Sequence, residues 1–135
     1  MTPLGDLTIQ TTDKLNSVAE DLFMEIFCDT FGPEKSNALY IQYPFIDLYG
    51  NHRYIDFAIE SENARVAIEI DGETWHNPSS ISPDKYIDDL QKQNSMIHQN
   101  WKVFRWVYLQ LKKQPEKVKD ELRTFLGDMP ALNTQ

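Results

Sequence analysis

From Arg65 to Asp71 the chain alternates without a break, Val66, Ile68 and Ile70 against Arg65, Ala67, Glu69 and Asp71. A strand sends successive side chains to opposite faces. This period of two therefore predicts a half-buried strand with one apolar face and, on the other, two carboxylates about 7 Å apart by strand rise. The preceding segment, His52 to Ile59, repeats the pattern, with Ile55, Phe57 and Ile59 as the apolar set and Asp56 opposite, flanked by Tyr54 and Ala58. Before it, Ala38 to Tyr49 is rich in aromatic and β-branched residues and reads as a strand that Pro44 pushes toward a sheet edge or a bulge. Gly50-Asn51 and Glu62-Asn63 supply turns, so the three segments predict a meander in which Asp56 faces Glu69 or Asp71 across the ladder.

Helical periods flank these strands. Leu15, Val18, Ala19, Leu22, Phe23, Ile26 and Phe27 recur at three- and four-residue spacing, with Ser17 and Glu20 spaced as a capping box and Gly32-Pro33 as a stop. Pro83 to Gln99 predicts a second helix with Ser82 as N-cap, Pro83 in first position, and Ile87, Leu90 and Ile97 turned inward. Lys102 to Tyr108 reads as a fourth strand, and Glu116 to Leu126 as a third helix stopped by Gly127. The expected architecture is α/β, in the order helix, three strands, helix, strand, helix. A helical crossover between the third and fourth strands makes that pair parallel if they are neighbours, and the sheet mixed. Residues 1–13 read as a lead-in, 14–127 as one domain, and 128–135 as a linker or tail.

A length of 135 residues suits one ordinary domain, and 41% hydrophobic with 12% aromatic residues is globular usage. The lone Cys28 forms no internal disulfide, and no stretch reads as a signal peptide or an apolar run of about 18 residues, so the expectation is a cytoplasmic protein with no membrane contact. A net charge of -8 opposes phosphate binding, but it is unevenly spread. Residues 1–71 hold 4 basic against 13 acidic side chains, and residues 72–135 hold 9 against 8. Between Lys92 and Lys119 seven basic residues accompany one acidic residue, a locally basic stretch that is either a nucleic-acid surface or a solvated face.

Asp56, Glu69 and Asp71 are the candidate metal ligands. Carboxylates crowded on one half-buried face repel, and a hard divalent ion such as Mg²⁺ or Mn²⁺ relieves that repulsion while binding phosphate. The alternative is that they face solvent on the open side of an antiparallel sheet. His76, five residues after Asp71, is placed to hold or deprotonate a water, or is structural. Glu20 leans toward the same face or serves its capping box. Lys85, Asp89 and Lys92 share one side of the second helix, as a functional row or as a solvated ion-pair face.

The order of elements, with Ile55-Asp56-Phe57 in the second strand and Ile68-Glu69-Ile70-Asp71 in the third, resembles the PD-(D/E)xK nuclease superfamily. The run Asp71-Gly72-Glu73-Thr74-Trp75-His76, an Asp in the second helix (Asp89) and Asn100-Trp101-Lys102-Val103-Phe104-Arg105-Trp106 resemble its branch of very-short-patch-repair-like endonucleases. The resemblance implies a restriction-endonuclease-like core and metal-dependent hydrolysis of DNA in repair, processing or defence. It implies Asp56 and Glu69 as metal ligands, Asp71 as a further ligand, Glu20 as an outer ligand and His76 as base or phosphate contact. Lys85, Lys92, Lys102 and Arg105 are the expected DNA contacts. The chain departs from the superfamily pattern at one place: Asp71 stands where a lysine is usual, and Lys85 or Lys92 would have to replace it. The span also resembles the amino-terminal module of large bacterial superfamily 2 helicases, which implies a helicase motor as partner and, alternatively, a silent nucleic-acid-binding or protein-interaction role.

Overall fold

The computed structural model describes residues 14–72 and 82–132. Helix α1 (Lys14–Phe31) is followed by a 3-10 turn (Pro33–Ala38), strands β1 (Tyr40–Ile46), β2 (His52–Glu60) and β3 (Arg65–Asp71), helix α2 (Pro83–His98), strand β4 (Trp101–Val107), helices α3 (Tyr108–Lys113) and α4 (Pro115–Leu126), and a final 3-10 turn (Pro130–Leu132). The strands lie in the order β1-β2-β3-β4. β1, β2 and β3 form an antiparallel meander, and β4 joins β3 in parallel, with Ile68 beside Phe104 and Glu69 beside Arg105. The sheet is mixed and flanked by helices, as the crossover predicts, and Pro44 lies in an edge strand where its missing N–H breaks no inner ladder. No described helix is long and apolar enough to cross a membrane.

Two apolar clusters hold the layers together. Ala19, Phe23, Ile26 and Phe27 of α1 pack with Phe57, Ile59, Val66, Ile68 and Ile70 of the sheet, Trp106, and Val118, Leu122 and Leu126 of α4. The smaller cluster joins Phe45, Ile55, Ala58, Ala67 and Trp101 to Met96 of α2. β3 keeps the expected alternation of faces but is not half-buried: Ala67 and Glu69 on one face are covered as fully as Val66, Ile68 and Ile70 on the other, because helices flank the sheet. β1 and β2 do not keep that alternation: Ile41, Phe57 and Ile59 pack with the α1 side, whereas Tyr43, Phe45 and Ile55 pack with the α2 side. The register is unchanged across this switch, Ile41 opposite Phe57 and Tyr43 opposite Ile55. The change of face therefore falls at Gln42 and Asp56, and Gln42 takes a left-handed φ of 55°, a conformation that costs a non-glycine residue roughly 1–3 kcal/mol. Ile55 thus leaves the face that period-two sorting assigned to it.

Three other expectations change. The first strand stops at Ile46 and not at Tyr49, because the buried Asp47 carboxylate accepts the Tyr49 and Asn51 N–H groups at 2.9 Å and folds 47–51 into a turn, with Gly50 at φ 83°. Residues 128–132 are no free tail, since Met129 and Leu132 are buried in the larger cluster. α2 begins as expected, with Ser82 Oγ accepting the Lys85 N–H at 3.1 Å and Pro83 in the first turn. Its rotation is the surprise: Ile87 and Ile97 are 51% and 52% exposed and Leu90 also faces solvent. The sheet beneath α2 carries Arg53, Glu69 and Arg105, and the helix turns its charged side toward them.

Phe23 touches the rings of Phe27, Phe57 and Trp106 at centroid distances of 6.1, 5.2 and 5.8 Å. Replacing it with alanine is expected to lower unfolding free energy by about 3–5 kcal/mol in urea titration, the range for truncating a buried aromatic residue.

Candidate active site

The ladder between β2 and β3 is regular up to Phe57 opposite Ile68. Beyond that pair the strands exchange side chains for backbone. The Asp56 N–H donates to Glu69 Oε2 at 3.0 Å, and the Ile70 N–H donates to Asp56 Oδ2 at 2.8 Å. Each carboxylate takes the place of a ladder carbonyl, so the backbone donors stay satisfied while the two acids are drawn into the fork. Glu69 is 4% exposed.

A buried and a half-buried carboxylate this close oppose each other's ionisation. The Asp56 carboxyl is pushed well above the usual carboxylate range, chiefly by burial, then by the charges of Glu69 and Glu20. The Ile70 hydrogen bond and the charge of Lys92 act against that rise. Lys92 arrives from α2, its Nζ 2.6 Å from Glu69 Oε1. Glu20 comes from α1. Because α1 runs from Lys14, Ser17 lies within the helix, away from an N-cap position, and the charge of Glu20 acts on Asp56 across the layer.

The expected convergence of Asp56, Glu69 and Asp71 is corrected by these contacts. Asp71 shares the Glu69 face of β3, but its Oδ2 accepts from Arg105 Nη2 at 2.8 Å, and the same guanidinium binds Asp89 at 2.9 Å and Gln93 at 2.7 Å. Among the described residues no group of three or more His, Cys, Asp or Glu side chains is arranged to hold a metal ion. The set drawn together is Asp56, Glu69 and Lys92, with the charge of Glu20 acting on it. His76 and Trp75 lie outside the described residues.

Of the four expected DNA contacts, Lys85 and Lys102 are exposed, while Lys92 and Arg105 are engaged by carboxylates inside the fold. Sequence reasoning missed Asp47, Arg53 and Asp88. Arg53 Nε donates to Asp47 Oδ2 at 2.8 Å, and its other nitrogens bind both oxygens of Asp88 at 2.9 and 2.6 Å. The available signal was Asp47 three residues before Gly50, a residue type and spacing that suit a turn built on a side-chain acceptor. The Arg53 hydrogen bond holds the Asp47 carboxyl down to about 2. Its stabilising effect is thus present above the ordinary carboxylate value and is lost as pH falls toward 2.

Asp56 has the opposite sign. Its folded form resists an ionisation that the unfolded chain allows near pH 4, so the folded protein loses stability as pH rises from there through the raised value. Asp56→Asn, which keeps an acceptor for Ile70, is expected to raise the urea midpoint in EDTA at pH 8. That gain is expected to shrink toward pH 4, and a gain independent of pH would contradict the assignment.

No protein-family model, curated protein or solved structure matches this chain, so its own residues carry the functional reading.

Proposed function

We propose that this chain is a divalent-metal-dependent endonuclease that hydrolyses DNA phosphodiester bonds, on a restriction-endonuclease-like core of the PD-(D/E)xK type. The observation that carries this reading is the Asp56–Glu69 pair in the strand fork with Lys92 at 2.6 Å. Two hard oxygen donors fit Mg²⁺ or Mn²⁺, since such ions take one or two carboxylates and complete their shell with water and substrate phosphate. Asp71 is not needed for that count. When bound, the ion supplies a polarised phosphoryl oxygen and a more acidic water.

The protein groups then have distinct tasks. Asp56 and Glu69 would hold the ion, each with one oxygen fixed by a backbone N–H, and Lys92 would yield the second Glu69 oxygen to it. Glu20 adds negative charge behind Asp56. Lys92 replaces the lysine displaced by Asp71 in the strand motif: its ammonium, already beside Glu69, is positioned to hold the attacking water or the charge that grows on the phosphoryl oxygens. Lys85 and Lys102, both exposed, are the DNA contacts of this scheme.

One observation favours a second reading. Lys92 occupies the Glu69 oxygen that a metal would take, which suits a silent binding or interaction module accessory to a helicase motor.

Cleavage of plasmid and oligonucleotide DNA with Mg²⁺ or Mn²⁺ distinguishes the two. Wild type is expected to cut and to stop in EDTA. Asp56→Ala and Glu69→Ala are expected to be inactive with circular dichroism retained, and Lys92→Gln slower by about 10²–10³, the usual loss for one electrostatic stabiliser. Equal cutting by Asp56→Ala would overturn the site, and DNA binding indifferent to EDTA without cutting would favour the silent module.

A further inference from the structure

α2 meets the sheet almost without apolar burial. Ile87, Leu90 and Ile97 point to solvent, and Met96 is its one buried apolar side chain. Apolar packing therefore does little to set the rotation of the helix or its position along its axis. Polar contacts do this instead: Ser95 Oγ accepts the Leu48 N–H at 3.2 Å and Gln99 Nε2 donates to the Ile46 carbonyl at 2.7 Å near the end of the helix, and charged side chains lie in two parallel rows before them. Asp88 and Lys92 are four residues apart on one row, and Asp89 and Gln93 on the next, so each pair stacks along the helix. Arg53 from β2 grips the first row at Asp88 with both terminal nitrogens. Arg105 from β4 grips the second at Asp89 and Gln93. Each arginine is also held from the sheet side by a carboxylate, Asp47 for Arg53 and Asp71 for Arg105, at 2.8 Å in both cases.

We propose that Arg53 and Arg105 are a pair of positioning residues that set α2 so that Lys92 Nζ meets Glu69. The planar guanidinium forks fix direction as well as distance, which a single ammonium would not do. A helix advances 1.5 Å and turns about 100° per residue. A slip of one residue would therefore carry Lys92 off Glu69, and both forks oppose that slip, Arg53 on the Lys92 row itself and Arg105 on the row beside it. On this view Asp71 serves the site through Arg105 and binds no metal. The proposal's activity arm rests on the nuclease reading, but its geometry does not.

The test uses the full chain and an amine-reactive acetyl ester at fixed pH, with acetylation of Lys92 followed by mass spectrometry against Lys85 and Lys102. In wild type Lys92 is expected to react slowly. Arg53→Gln and Arg105→Gln are each expected to speed its acetylation by about tenfold, the factor that corresponds to ~1.4 kcal/mol. The double variant is expected to exceed either. Asp88→Asn and Asp89→Asn, milder changes made from the helix side, are expected to reproduce the effect if an arginine variant fails to fold. Leu122→Ala, which loosens the opposite cluster, is the control for stability alone and is expected to leave Lys92 slow. Unchanged Lys92 reactivity in the double variant, or an equal rise in Leu122→Ala, overturns the proposal. On DNA the arginine variants are expected to lose kcat with KM unchanged. Wild type without any cleavage would sink the nuclease reading and leave the acetylation result to decide the clamps.

Discussion

Where β2 and β3 part, two backbone donors that a continuing ladder would pair with carbonyls are taken by the carboxylates of Asp56 and Glu69. This exchange ties several features to one place. It ends the regular ladder after Phe57 and Ile68, and it coincides with the position at which β1 and β2 change face beside Gln42. It also draws Glu69 out of water and Asp56 partly so, which a fold tolerates only with compensation. Lys92 neutralises Glu69, and Asp56 is left with a carboxyl that resists ionisation. The strain and the charge accumulate at one point of the sheet, the pattern expected where stability is given up for function.

The two sides of the sheet are built on different physics. On the α1 side aromatic and branched side chains interlock, and the helix positions follow from apolar area removed from water. On the α2 side Met96 alone enters the smaller apolar cluster, Ile87, Leu90 and Ile97 are left outside, and arginine–carboxylate contacts with the Ser95 and Gln99 hydrogen bonds do most of the joining. Apolar burial is non-directional, whereas a guanidinium fork is directional. The side on which Lys92 meets Glu69 is the side that carries the forks. Surface ion pairs contribute little to stability individually, so the value of these contacts lies in orientation.

Much of this was legible in the residues. The period-two run of β3 grouped Val66, Ile68 and Ile70 correctly on the α1 side, and Ser82-Pro83 marked the start of α2. Asp56 and Glu69 emerged from the same alternation as candidates for a shared face, and Lys92 from helical spacing as part of a charged side of the second helix. Other readings failed for identifiable reasons. Ile55 was misassigned because alternation assumes an unbroken pleat, and Gln42 breaks it. Ile87, Leu90 and Ile97 were turned inward because a helical apolar stripe normally seeks a core, and here the opposing sheet surface is charged.

Local order along the chain settles what each segment becomes: the spacing of apolar residues selects helix or strand, and turn chemistry at Gly32, Gly50 and Ser82 sets their ends. Those effects act within a few residues and can be read from a string. Which acids meet is another matter. Asp71 and Glu69 share a face of β3, yet one is captured by Arg105, 34 residues away, and the other by Lys92, 23 residues away. Coulomb energy depends on distance in space, so the identity of the site awaited the packing of α2 against the sheet.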